Sequence, residues 1–154
     1  MTIKIRRGVF ETNSSSSHSV SICNNDLDNL MDISLIPDEN GVVTIVYLQV
    51  YDNSRDDVIL RNAVDKAMYV FSDILSNYYE GEDLLIRKEL TKSLISIIKK
   101  QTGATSVKFR YNKWMYDHLE ADMSGDTDPI YNSEESMRNF IFNKNSQVTI
   151  FPPF

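Results

Sequence analysis

The run VVTIVYLQVY, Val42 to Tyr51, is the segment that most restricts how this chain folds. It is dense in β-branched and aromatic residues, which suit a pleated surface better than a helix. Through Tyr47 it is apolar on both faces, so it reads as a central strand that needs cover on each side. Material for that cover follows at once. From Asp56 to about Tyr78 the apolar residues Leu60, Ala63, Val64, Ala67, Met68, Phe71, Ile74 and Leu75 recur mostly at spacings of three and four. That periodicity predicts a helix, with Ser54 or Asp56 as its cap. Gly81 breaks the pattern, and a second helix is expected from about Glu82 to Gln101, carrying Ile86, Leu90, Leu94, Ile97 and Ile98. Lys99 and Lys100 suit its negative end, and Gly103 suits the left-handed residue beyond it. Two amphipathic helices joined by a short turn form a hairpin whose apolar stripes pack on the strand.

The remaining segments supply further strands. Residues 2–10, TIKIRRGVF, alternate Ile3 and Ile5 with Lys4 and Arg6, and HSVSIC places His18, Val20 and Ile22 on one face. The pair reads as a hairpin with a wide connection. A short helical turn is expected within 24–32, and PDENG at 37–41 is a turn by composition. SVKFRY at 106–111 alternates as a half-exposed strand, and KWMYDHLE at 113–120 is read as a strand in preference to a helix. After a loop over 121–132, SEESMRNFIF is a short helix with Ser133 as its cap, and SQVTIFPPF is a last strand stopped by proline. The expected fold is α+β: a mixed or antiparallel sheet of about five strands packed against a helical hairpin and a short C-terminal helix. At 154 residues the chain is expected to form a single globular domain, residues 1–154, with one core.

Charge and composition remove several classes of function. The net charge is −6 and Cys23 is the lone cysteine, so neither a general nucleic-acid coat nor a disulfide or CxxC zinc framework is expected. No apolar run has the length of a membrane-spanning helix, and a soluble, unprocessed protein in a reducing compartment is the expectation. No P-loop, dinucleotide glycine fingerprint or HExxH motif is present, and the calcium-loop spacing begun by Asp26 and Asp28 fails at Leu30. No metal and no cofactor is therefore expected.

Chemistry is confined to two places. The stretch FETNSSSSHS, Phe10 to Ser19, ends its serine run at His18, and the other histidine is His118. Neighbouring imidazoles with ordinary values near 6.5 would serve as acid and base for phosphodiester cleavage or nucleotide transfer. His18 would alternatively activate Ser15 or Ser16, with Asp117 or Glu120 orienting an imidazole. The hydroxyl residue that two-histidine phosphoesterases carry two places after each histidine is missing, since Val20 and Glu120 stand there. The competing reading makes both histidines hydrogen-bonded structural residues. Three readings stay open for the serine run. Arg6, Arg7, Asn13, Ser14 and Ser17 would form an anion-binding concavity, or the polar side chains would satisfy their own backbone in a tight connection, or the segment would be a linker. Glu120, Asp122, Asp126 and Asp128 form an acidic cluster that either docks a basic partner or is a solvated loop.

The opening IRRGVFETNSSSSHSVSI, with YDH at 116–118 and FIFNKNSQV at 140–148, resembles a loosely defined group of small proteins encoded by bacteriophages and prophages. The resemblance implies an origin rather than a chemistry, and places the chain in an infected bacterial cytoplasm or in a virion. Such a chain, acidic and without a catalytic motif, is expected to be a non-catalytic accessory protein that binds and modulates a host protein or defence complex. The alternatives are a small nucleotide- or nucleic-acid-processing enzyme built on His18, His118 and the serine loop, and a minor virion component. The expected partner is a host bacterial protein, with no membrane involved and self-association left open.

Overall fold

Alternation in the N-terminal segment becomes one border of a four-stranded antiparallel sheet. In the computed structural model, strand β1 (Thr2–Arg6) pairs with β2 (Ser17–Cys23) in a register that sets Thr2 opposite Cys23 and Arg6 opposite Ser19. Residues 2–6, 17–24, 27–47, 57–77, 81, 83–110 and 128–151 are described, with only the backbone described at 2–6, 17, 76–77, 83 and 128. The expected hairpin is present, so both flanks of the serine-rich connection are anchored in the sheet. The sheet order is β1-β2-β6-β4, with β4 at Val58–Leu60 and β6 at Gln147–Phe151, and the strand expected at the C-terminal end lies in its interior.

Strand β3 (Val42–Val46) lies elsewhere. It pairs in parallel with β5 (Ser106–Arg110) in a separate two-stranded sheet, with Ile45 opposite Phe109. The expectation of a doubly covered central strand is corrected here: Val43, Ile45 and Tyr47 are buried, while Thr44 is exposed and Val42 and Val46 are half-buried. β-branched residues favour extended backbone on either kind of face, so the apolar run specified a strand without specifying its cover.

The first helix begins later than the periodicity suggested. Val58–Leu60 is strand β4, and helix α1 runs Ala63–Asn77. Neither Ser54 nor Asp56 is the cap. Asn62 accepts the Asp65 amide N–H on Oδ1 at 2.8 Å, and the Asp32 carboxylate accepts the Ala63 N–H at 3.2 Å. These two acceptors satisfy amides that the first turn of a helix leaves without partners. Helix α2 (Asp83–Thr102) follows a turn containing Gly81, and Gly103, with φ 77, closes it through an N–H bond to the Lys99 carbonyl. Ser133 caps helix α3 (Glu134–Phe142) as expected, its hydroxyl accepting the Ser136 N–H at 3.0 Å.

Most of these elements contribute to one apolar core. It joins Val20 and Ile22 of β2, Val43 and Ile45 of β3, Ala63, Ala67, Val70 and Ile74 of α1, Leu94 and Ile98 of α2, Phe140 of α3, and Val148 and Ile150 of β6. The α+β class read from the sequence holds, with the described strands divided between two sheets and both kinds of pairing present.

Candidate functional site

Helix α1 carries a polar stripe beside its apolar one. Ala63, Ala67, Val70 and Ile74 form the innermost row, and Lys66, Tyr69 and Asp73 form the adjacent row at helical spacing, all fully buried. Buried polar groups require partners. Lys66 Nζ donates to the carbonyl oxygens of Asn143 and Ser146, each at 2.8 Å, in the turn that joins α3 to β6. Asn143 is the C-cap of α3, so the ammonium also faces the negative end of that helix. Burial pulls the Lys66 ammonium down from 10.5 to about 8, partly opposed by the negative charge of Asp32. A lysine near 8 has the basicity of a Schiff-base nucleophile. This one has no exposed surface and spends two of its donors on backbone carbonyls, an arrangement that ties α1 to the turn.

The same turn is held from a second side. Ser146 Oγ donates to the Asn139 carbonyl and accepts the Cys23 N–H, both at 2.8 Å, linking α3, β6 and β2. Asp32 receives the Ser34 N–H at 2.8 Å as well as that of Ala63. Partial burial raises the Asp32 carboxyl, and the Ser34 hydroxyl, then these amide hydrogen bonds and the Lys66 charge, outweigh it, leaving a net downward shift.

His18 meets the stripe from β2. As the alternation predicted, it shares the inward face with Val20 and Ile22, and it is only 1% exposed. Its Nδ1 lies 2.7 Å from the Tyr69 hydroxyl in a buried hydrogen bond. The two rings meet at 5.4 Å between centroids, and Tyr69 continues to Phe140 at 6.0 Å. Burial lowers the imidazole from 6.5 to about 4, so it is neutral at physiological pH. Burial, and then the charge of Asp73, raises the Tyr69 phenol well above its ordinary value. One turn further along α1, Asp73 accepts the Tyr131 hydroxyl at 2.5 Å, which fixes the short 3-10 helix Asp128–Tyr131 against α1.

The other residues expected to carry chemistry are only partly in view. Arg6 pairs with Ser19 and Ser17 with Phe151 through the backbone, and Asp128 opens the 3-10 helix. His118, Arg7, Asn13, Ser14, Ser15, Ser16, Asp117, Glu120, Asp122 and Asp126 lie outside the described residues. Lys66, Tyr69 and Asp73 were not singled out from the sequence. Their signal was nonetheless present, as three polar side chains recurring at spacings of three and four directly beside an alanine-rich apolar row.

Two concavities on the surface are apolar in character. One, about 340 Å³, lies between α1, α2 and β5, floored by Phe71, Leu75, Ile95 and Phe109 and edged by Arg87, Lys88 and Lys92. Phe71 and Phe109 stack there at 4.4 Å with 21° between their planes. The other, about 510 Å³, is lined by Ile33, Ile36, Arg61, Asn62 and Lys144. Ile33 is 78% and Ile36 73% exposed, and Leu85 on α2 is 70% exposed. Among the described residues no group of three or more His, Cys, Asp or Glu is placed to hold a metal, and no helix is long and apolar enough to cross a membrane. Comparison of the chain with models of protein families, with curated proteins and with solved structures finds no match.

Proposed function

We propose that this chain is a non-catalytic accessory protein that works by occupying a surface of another protein. The reading is carried by one contrast. Three of the four described groups with shifted proton affinity, His18, Lys66 and Tyr69, are buried and spent on internal hydrogen bonds, and the fourth, the half-buried Asp32, is spent on the Ser34 and Ala63 N–H groups, whereas large apolar side chains such as Ile33, Ile36 and Leu85 stand in solvent. A general base must reach the proton it takes. A neutral imidazole held on Tyr69 inside the core serves packing instead. Apolar side chains grouped beside concave surface are a feature of protein interaction sites.

The resemblance of the N-terminal segment to bacteriophage and prophage proteins supports a host bacterial protein or defence complex as the partner, met in the host cytoplasm. Native mass spectrometry of the tagged protein recovered from bacterial extract tests this against the enzyme alternative. The expected result is a complex of fixed stoichiometry with one bacterial protein. Recovery without a partner, together with turnover of nucleotide or nucleic acid that His18→Gln removes while the melting temperature stays unchanged, would establish the alternative.

A further inference from the structure

Resting on the binding reading above, we infer that the groove between α1, α2 and β5 is a docking site for an acidic amphipathic helix of a partner protein. On α2, Leu84, Lys88, Thr91 and Ile95 follow one another at spacings of three and four and form one wall. That row spans about 16 Å, roughly three helical turns. A ridge of this spacing is what a neighbouring helix packs into, with apolar anchors at i, i+3, i+4 and i+7. The half-buried Ile95 and Phe109 supply the apolar floor for those anchors, with the already buried Phe71 and Leu75 completing the lining.

Charge decides the kind of occupant. Arg87, Lys88 and Lys92 are the charged residues lining the groove among the described residues, and all are cationic. The chain carries a net charge of −6, so this rim opposes the sign of the molecule as a whole. Lys92 approaches Glu89 at 3.5 Å, but both side chains are largely exposed, and a pair of this kind is worth little and leaves the cation available. An apolar ridge flanked by carboxylates would bury its anchors on the floor and set its charges against the rim. A second copy of this acidic chain approaches against the repulsion of like net charges. Leu85, the residue after Leu84 on α2, adds exposed apolar surface outside the groove.

Selection of a random peptide library on the immobilised full chain, followed by binding titrations, tests the inference. Selected peptides are expected to combine aspartate or glutamate with large apolar residues at spacings of three and four. Their affinity should fall with rising salt and drop roughly tenfold or more for the double variant Lys88→Glu with Lys92→Glu. Both lysines are exposed, so the variant should retain the wild-type melting temperature, and Lys88→Arg with Lys92→Arg should retain binding. Peptides without acidic residues, unchanged affinity in the charge-reversed variant, or no selected peptide would each overturn the inference. Peptides lost on Ile33→Asp with Ile36→Asp instead would overturn the α2 groove while leaving the binding reading in place. A concentration-dependent dimer abolished by the charge reversal would make a second copy the occupant and equally overturn it.

Discussion

His18 is where burial most directly changes chemistry. Its imidazole titrates near 6.5 when unfolded and about 4 when folded, so below 6.5 the unfolded chain binds a proton that the folded one refuses. The stabilising contribution is full above pH 6.5 and is lost as pH falls toward 4. At pH 5 the loss should be about 2 kcal/mol. Urea unfolding of wild type and His18→Gln between pH 4 and 7 measures it, and the wild type should lose that much more stability than the variant on acidification. Equal pH slopes would show that the imidazole protonates as freely folded as unfolded. Lys66 acts at the other end of the pH scale. Its ammonium is disfavoured in the fold, so stability should rise as pH passes from about 8 toward 10.5, by about 1 kcal/mol between pH 8 and 9. Lys66→Met should remove that rise and cost about 2 kcal/mol or more at neutral pH, because two buried carbonyls lose their donor. The inward side of His18 was legible from a period of two. Its partner was not, because Tyr69 is 51 positions away and nothing local couples β2 to α1.

At the scale of elements, the sequence resolved the kind of most described segments better than their limits, while the strand read at 113–120 lies outside the described residues. Helix α2, the Ser133 cap and the β1-β2 pairing were read from local chemistry that the tertiary structure leaves intact. The start of α1 was misread because Leu60 falls in phase with the helical apolar row while standing at the end of strand β4. The separation of β3 from the larger sheet was equally hidden, since strand propensity names no partner. The turn before β3 shows what local geometry does fix. Gly41 has φ 76, and a Cβ there would lie 2.7 Å from Thr105 Oγ1. The Gly41 carbonyl meanwhile accepts the Thr105 N–H at 2.8 Å, joining this turn to the entry of β5. Gly81 has φ 63 but, among the described residues, no atom within 4 Å of an added Cβ. Both alanine substitutions meet the left-handed backbone cost of about 1 kcal/mol, and Gly41→Ala adds a steric one. Thermal denaturation should therefore show a larger loss for Gly41→Ala than for Gly81→Ala. Equal losses would mean that Thr105 moves aside freely.

On the scale of the whole molecule, one core joins both described sheets to the three described α-helices, and the described polar interior serves to hold these parts in register. Lys66 ties α1 to the α3–β6 turn, His18 ties β2 to α1, and Asp73 ties α1 to the 3-10 helix. Composition anticipated a chain able to build such a core. It gave no sign of the apolar surface at Ile33, Ile36 and α2, because residues that are isolated in sequence become a surface only after folding. The most direct test of this division of labour is quantitative capture of the proposed bacterial partner by three folded proteins at neutral pH. These are the wild type, the interior variant His18→Gln and a surface variant combining Leu85→Asp with Ile33→Asp and Ile36→Asp. The account predicts that the interior variant captures as much partner as wild type and that the surface variant captures at least tenfold less. Full capture by the surface variant, with capture lost in a stably folded His18→Gln, would contradict it.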